Sequence, residues 1–325
     1  MKRSFNKLII LLLSVITLGG CLKTNDFYEG FTDLEPLADI PLSHLSSDTL
    51  TVYAMDAAPT PDATVDTLVA VHLSAKNHIG NVTFTLGLGA SDSAFVAFMA
   101  AHPEYKLMPP NLYSFDSTVT IQNAGVLNTA NFPVRFKTAA VDANGNKLFF
   151  TNQYVLPIII KDASGYKVAA NFRMIIMKVL SKNEYDGDYQ VTGWFFHPSA
   201  GRAINQVKHL ATLSATAVEG GLGDLGSPFD FNIVDNKAVW ISGPYTSASS
   251  SNGFMTADNP GGTDYSDASN GGYLPGDATF NKTIYNNTYD PATKTFYLHY
   301  GYNASSPAGQ GVYTRQIYEK WVKIN

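Results

Sequence analysis

Apolar and polar residues alternate along much of the chain between residues 46 and 181. In NVTFTLGL (residues 81–88) and FPVRFKT (residues 132–138), apolar side chains recur at every second position. A period of two predicts strands with one buried face. About seven such segments are separated by turn residues, and this arrangement predicts an immunoglobulin-like β-sandwich.

Two segments of the same region are apolar throughout. YVLPIIIKD (residues 154–162) and NFRMIIMKVL (residues 171–180) are typical of central strands in a packed pair of sheets. Pro157 predicts an edge or a bulge in the first of them. The DANGN segment (residues 142–146) predicts a tight hairpin turn, because Asn-Gly accepts the positive φ angles of a type I′ loop.

One segment has a helical period instead. In SDSAFVAFMAAHPEY (residues 91–105), Asp92 is a candidate N-cap, and Phe95, Phe98 and Met99 share one face. Pro103 ends the pattern. We therefore predict that one short helix connects two strands of the sandwich.

Residues 184–325 return to short strands that are separated by turns. The pattern predicts an antiparallel β-barrel, which we expect to be lipocalin-like, or a second sandwich. Trp321, near the end of this region, is interpreted as a core residue. The predicted fold class of the whole chain is all-β.

The amino terminus predicts export and lipid attachment. Lys2, Arg3 and Lys7 precede an apolar run at residues 8–18, which is followed by Gly19, Gly20 and Cys21. This pattern resembles the bacterial lipobox, in which the cysteine is acylated, and multiple acyl chains give stable anchoring. We predict a signal peptide at 1–20, a tether at 21–45, a β-sandwich at 46–181 and a second β domain at 184–325.

Composition excludes several functions. Charged residues make up 15% of the chain and its net charge is −5, with no basic patch, so nucleic acid is not an expected partner. The single cysteine excludes thiol catalysis and CxxC zinc sites from the mature protein. We find no HExxH, G-x-S-x-G or Walker motif and predict no cofactor and no metal site. A non-enzyme is predicted, and a glycoside hydrolase without a recognisable motif stays as an alternative.

A Gly-, Ser- and Asn-rich segment at residues 242–280 carries most candidates for ligand binding. Aromatic rings pack on the C–H face of a sugar ring, and carboxylates accept its hydroxyl groups. The alternative is a surface loop whose aromatic residues pack on the barrel wall, with the tryptophans in the core. Two tryptophans that precede this segment are candidates as well. The candidates for glycan binding are Trp194, Trp240, Tyr245, Phe254, Tyr265, Tyr273, Asp264 and Asp267.

The order of motifs in residues 50–180 resembles a family of Bacteroidetes surface lipoproteins from polysaccharide-utilisation loci. These proteins have an immunoglobulin-like N-terminal domain of unknown function, followed by a small C-terminal β domain. The resemblance implies glycan capture at the outer membrane, facing the cell exterior, beside an outer-membrane transporter. A structural or adhesive subunit that binds a protein partner is the alternative. The matching residues are Tyr105, Leu107, Pro109, Tyr113, Ile121, Gly125, Leu156 and Pro157.

Overall fold

The computed structural model describes residues 35–43, 50–75, 79–197, 201–245, 251–255, 282–303, 313 and 315–324. Strands dominate these residues, so the predicted all-β fold class is confirmed. The predicted signal peptide, Cys21 and most of the tether lie outside them. No helix within the described ranges is both long and apolar enough to cross a membrane. The helical segments are α1 (Ser93–Ala101), α2 (Leu148–Thr151) and the 3₁₀ turns Pro110–Leu112 and Lys282–Ile284.

Strands from the first half of the chain form two sheets that pack face to face. They are β1 (Leu37–Asp39), β2 (Thr51–Met55), β3 (Val65–Ser74), β4 (Gly80–Leu88), β5 (Tyr105–Leu107), β6 (Tyr113–Phe115), β7 (Thr118–Ala124), β8 (Thr129–Phe136), β9 (Gln153–Ala163), β10 (Lys167–Val168) and β11 (Met174–Ser181). One sheet has the order β10-β1-β3-β8-β6. The other has the order β2-β11-β9-β4-β7, with β5 paired to β9. The predicted sandwich is therefore present.

The predicted helix α1 explains why β9 and β11 are apolar on both faces. One face of their sheet contributes Leu156 and Ile158 to the core between the two sheets. On the other face, Val155 and Ile159 pack with Phe95 of the helix. Each face is thus covered, so alternation is lost. The structure also contains a second, four-residue helix, α2, which the sequence pattern did not predict.

The prediction that Pro157 marks an edge or a bulge is wrong. Its strand β9 lies between β11 and β4, and the residue pairs opposite Ile176. Its carbonyl accepts a hydrogen bond of 3.0 Å from the backbone N–H of Gly89. Because N and O of one residue point to the same side in an antiparallel strand, the proline nitrogen faces the end of the β4 ladder. A missing N–H costs little there.

The DANGN segment forms a turn but not a type I′ hairpin. Gly145 has a φ of +83°, whereas Asn144 keeps a negative φ. The flanking residues Val141 and Lys147 share only an isolated bridge. The carboxylate of Asp142 instead holds the turn by accepting hydrogen bonds from the backbone N–H of residue 144 at 2.8 Å and of residue 146 at 2.9 Å.

The second half of the chain forms a closed antiparallel barrel, which decides between the two predicted alternatives. Its strands are β12 (Gly187–Phe196), β13 (Arg202–Thr212), β14 (Ala217–Leu222), β15 (Ser227–Val234), β16 (Lys237–Ser242), β17 (Ser251–Phe254), β18 (Thr288–Asp290), β19 (Thr295–Asn303) and β20 (Arg315–Lys323). The order around the barrel is β12-β13-β14-β15-β16-β18-β19-β20, and the pairing of β19 with β20 closes it. The short strand β17 pairs with the C-terminal part of β19.

Aromatic side chains fill the barrel interior. Phe229 packs at 5.1 Å from Tyr300 and at 6.5 Å from Trp321, and these rings have at most 1% exposure. Trp321 is thus a core residue, as predicted. Gly193 on β12 permits the close approach of β20, because a Cβ atom there would lie 1.9 Å from the carbonyl oxygen of Tyr318.

A buried ion pair lies among these rings. The Lys208 ammonium is 2.6 Å from one carboxylate oxygen of Glu319, whose side chain is fully buried. The other carboxylate oxygen accepts hydrogen bonds from the Tyr300 hydroxyl at 2.5 Å and the Trp321 indole at 2.8 Å. Burial lowers the pKa of Lys208, while the charge of Glu319 opposes that shift. Both oxygens of the enclosed Glu319 carboxylate have partners, so we assign the network a structural role.

Candidate functional site

One end of the barrel gathers polar and aromatic groups from several strands. We call it the loop end: there β12 finishes at Phe196, β13 begins at Arg202 and β20 begins at Arg315. The register pairs Phe195 with Arg202 and Tyr302 with Arg315, so these four side chains come from adjacent strand ends. Functional groups commonly lie on such connections because the strands hold their ends in fixed positions.

An arginine–aspartate pair forms one side of the loop end. The Arg202 guanidinium donates two hydrogen bonds to the carboxylate of Asp224, from the turn after β14. These hydrogen bonds lower the pKa of Asp224, so this carboxylate is ionised at neutral pH. The guanidinium carbon also lies 4.3 Å from the ring centroid of Phe195. Both charged side chains keep partial exposure, 37% for the arginine and 28% for the aspartate.

An aromatic stack forms the other side. The rings of Tyr245 and Tyr302 are 4.8 Å apart and 10° from parallel. Tyr302 is buried, whereas Tyr245 remains partly exposed. Burial raises the pKa of Tyr302, so its hydroxyl is protonated at neutral pH. The stack therefore presents a supported tyrosine ring at the barrel end.

A second arginine joins this stack to a histidine. The guanidinium carbon of Arg315 is 5.7 Å from the Tyr302 ring centroid. Its Nε–H donates a hydrogen bond of 3.3 Å to Nε2 of His197. Burial and the charges of Arg315 and Arg202 lower the pKa of His197, which agrees with a neutral ring that accepts this bond.

The predicted candidate residues separate into four groups. Tyr245 lies at the loop end, as described. Trp240 and Phe254 pack against the barrel core, where Trp240 stacks on Phe229 at 5.1 Å and meets Phe254 edge-on at 5.3 Å. Trp194 lies on the outer wall beside Phe196. Tyr265, Tyr273, Asp264 and Asp267 lie outside the described residues.

Sequence reasoning missed Arg202, Asp224, Tyr302 and Arg315. Arg202 and Arg315 are the first residues of their strands, and a charged residue at a strand start is also typical of an ordinary surface. Only their contacts at the barrel end, of Arg202 with Asp224 and of Arg315 with Tyr302, distinguish them from ordinary surface residues. In the described ranges, no group of three or more His, Cys, Asp and Glu side chains is placed to hold a metal ion.

Chemically, the loop end suits an uncharged ligand with many hydroxyl groups. A tyrosine face offers an apolar contact, the aspartate accepts hydroxyl hydrogens and the guanidinium donates to oxygen. This combination of one aromatic surface with a few fixed polar groups is what small-molecule sites use for affinity and orientation.

Comparison with known proteins finds a matching domain in the first half of this all-β chain. Residues 46–167 match a family model that is described as an N-terminal domain. This interval agrees with the extent of the resemblance noted in the sequence. No curated protein sequence matches the chain.

Several solved structures from Bacteroides ovatus are distantly similar. A protein of unknown function aligns with a TM-score of 0.40 and 13% identity over 89% of this chain and 93% of its own. A multidomain protein including DUF1735 aligns with a TM-score of 0.39 and 12% identity over 89% of this chain and 93% of its own. A putative carbohydrate binding protein aligns with a TM-score of 0.32 and 10% identity over 64% of this chain and 69% of its own.

Proposed function

We propose that the protein binds a glycan at the loop end of the barrel and does not cleave it. The observation that carries this proposal is the partly exposed Tyr245 ring, which is backed by Tyr302 at 4.8 Å. A ring that is already supported loses little side-chain freedom when a sugar stacks on it. The Arg202–Asp224 pair supplies the donors and acceptors for ring hydroxyl groups.

Two carboxylates in the described part of the barrel, Glu319 and Asp224, support a non-catalytic role. Glycoside hydrolysis needs one carboxyl group that gives up a proton and a second carboxylate nearby. Glu319 is enclosed and held by Lys208, Tyr300 and Trp321. Asp224 has a lowered pKa because of its hydrogen bonds with Arg202, so it is a poor proton donor at neutral pH.

The same proposal places the protein on the outer membrane, facing the cell exterior, through acyl chains on Cys21. The lipobox-like sequence and the resemblance to surface lipoproteins support this location. A transporter complex in the same membrane is the expected partner. Palmitate labelling of the wild type and of Cys21→Ser tests the anchor. Equal labelling, or equal membrane fractionation of the variant, contradicts it.

Affinity electrophoresis against a panel of polysaccharides tests binding. We expect at least one glycan to retard the protein, and Tyr245→Ala to weaken this retardation roughly tenfold. Tyr297→Ala is the matched control, since Tyr297 is a half-buried tyrosine on the barrel wall beside Lys320. No retardation by any glycan, together with co-purification of outer-membrane proteins, favours the structural or adhesive subunit instead. Sugar release from a labelled glycan contradicts the non-catalytic assignment.

A further inference from the structure

A cavity of about 680 Å³ lies between the sandwich and the barrel. Residues 56–61 and Lys147 line its sandwich side, and Tyr289, Lys294 and Lys323 line its barrel side. The volume falls within the range of about 300–1,000 Å³ that is usual for small-molecule sites. We call this cavity the cleft. It lies at the opposite end of the barrel from the loop end, because its barrel residues flank the ends of β18, β19 and β20 that lead away from Tyr302.

Hydrogen bonds hold the two walls of the cleft together. The buried Asn183 side chain donates to the carbonyl oxygens of Ser214 at 2.8 Å and Ala217 at 2.9 Å, which are both in the barrel. The preceding residue, Lys182, donates its backbone N–H to the carbonyl of Met55 in the sandwich at 2.7 Å. The linker is therefore bonded to both domains, so the cleft is a formed site.

One of the four lysines at the cleft is already neutralised. The Lys182 ammonium lies 3.6 Å from Asp186 and 3.6 Å from Asp56. The Asp186 side chain is 7% exposed, and its second oxygen accepts two hydrogen bonds of 2.8 Å from Thr212. This fixed carboxylate of Asp186 holds the side chain of Lys182 in place and offsets its charge.

The remaining three lysines form no ion pair with a carboxylate anywhere in the described chain. They are Lys147, Lys294 and Lys323. The Lys323 ammonium donates a hydrogen bond of 2.8 Å to the backbone carbonyl of Glu184. Burial lowers the pKa of Lys323, the positive charge of Lys294 lowers it further, and the charges of Asp186, Asp56 and Glu184 oppose this shift. Lys294 and Lys323 are neighbouring cations without a direct ion-pair partner among the described residues, and an anionic ligand stabilises such an arrangement.

The other lining groups indicate what carries the anion. Asp56, Thr60 and Glu184 offer oxygen acceptors for hydroxyl groups, and Pro59 and Pro291 offer apolar contacts. A simple inorganic anion would use the lysines alone. A hydroxylated ring that bears a carboxylate or sulfate would use both sets of groups.

We propose that the cleft binds an acidic saccharide, with its carboxylate or sulfate held between Lys294 and Lys323. The proposal uses none of the loop-end residues. Tyr245→Ala is accordingly expected to leave this binding unchanged, so the loop-end site and the cleft site fail independently in experiments.

Isothermal titration of the full protein with matched oligosaccharides tests the proposal. The probes are oligogalacturonate, a sulfated galactan fragment, neutral galactan of the same length and inorganic sulfate. We expect at least one acidic probe to bind about tenfold or more tightly than the neutral probe, with affinity falling as salt increases. Lys294→Gln and Lys323→Gln should each raise the Kd for that acidic probe about tenfold or more. Lys320→Gln is the control on the same strand, since Lys320 lies on the outer wall over Tyr297.

Four results overturn the proposal. One is the absence of binding by both acidic probes. A second is equal affinity for acidic and neutral probes. A third is affinity for inorganic sulfate that equals that of the best acidic probe. The fourth is unchanged affinity in Lys294→Gln, since this residue is exposed and the variant should keep the wild-type melting temperature. Melting curves of Lys323→Gln separate lost binding from lost folding.

Discussion

Replacing Glu319 by glutamine is expected to destabilise the barrel by about 3–5 kcal/mol. Glutamine keeps the size of the side chain and an oxygen that can accept from Tyr300 and Trp321. It removes the negative charge 2.6 Å from the Lys208 ammonium, which is 6% exposed. The ammonium is then buried without a counter-charge, and this loss dominates the cost.

The destabilisation should depend on pH. Burial already lowers the pKa of Lys208 below its ordinary value of 10.5, and removal of the Glu319 charge lowers it further. Between the folded pKa and 10.5 the unfolded chain binds more protons than the native one, so stability rises with pH. In Glu319→Gln this window extends to lower pH. The difference from the wild type should therefore shrink as pH rises toward 10.5.

Tryptophan fluorescence during urea unfolding measures the barrel selectively. All three tryptophans, Trp194, Trp240 and Trp321, belong to barrel strands. The sandwich therefore does not contribute to the tryptophan signal, which matters because two domains need not unfold together. Midpoints and slopes at several pH values give the free energy of unfolding for each variant.

The double variant Lys208→Met/Glu319→Gln is the control. It removes both charges and should recover most of the stability, because a buried ion pair contributes little relative to apolar groups of similar volume. Two results refute the reasoning. One is a single variant within about 1 kcal/mol of the wild type. The other is a double variant that is less stable than Glu319→Gln alone.

Three further predictions concern stability. Asp92→Ala removes the N-cap of α1 and the partner of Arg173, 2.9 Å away, and should cost about 1–2 kcal/mol in urea unfolding. Burial alone would raise the pKa of Asp92, but the hydrogen bond and the charge of Arg173 lower it below the ordinary value of 3.8. As pH falls below 3.8, the wild type should therefore lose the stability that the ionised carboxylate contributes, whereas Asp92→Ala has none of it to lose. Equal acid-unfolding midpoints for the two proteins would contradict this. Burial raises the pKa of Tyr289 to about 12 from 10, so stability should fall between these pH values as the unfolded chain ionises first; a flat alkaline profile of unfolding midpoints contradicts this. Gly193→Ala should lower the barrel's free energy of unfolding, measured in urea, by about 3 kcal/mol or more because its Cβ meets the Tyr318 carbonyl, whereas an unchanged free energy would show that β20 can shift.

Local patterns were enough to predict most strands and the helix. The alternation at residues 81–88 and 132–138 gives β4 and β8, and the Asp92 cap gives the start of α1. These signals are local because burial of one face and capping of one helix end depend only on nearby residues.

The closure of the barrel could not be predicted from the same patterns. A period of two is identical for a barrel and a sandwich, and the pairing of β19 with β20 decides between them. The prediction that Pro157 marks an edge or a bulge was wrong for a related reason. Whether the missing N–H of a proline matters depends on where the hydrogen-bond ladder with the neighbouring strand ends.

Charged residues carried the least information about the barrel interior and the loop end. Lys208 and Glu319 are 111 positions apart, and each reads as the polar face of a strand. Arg202 and Asp224 likewise become a pair only through the barrel register. The stack on Tyr245 was partly foreseen, because an aromatic residue in a polar segment is a ligand-binding signal, but its partner Tyr302 was not.

Hydrogen–deuterium exchange in the presence and absence of a retained glycan tests the central claim most directly. Glycan binding at the loop end should slow exchange in peptides that cover residues 194–204 and 240–245, and Tyr245→Ala should abolish this protection. Protection confined to the sandwich, or the same protection in Tyr245→Ala, would contradict a glycan site at the loop end.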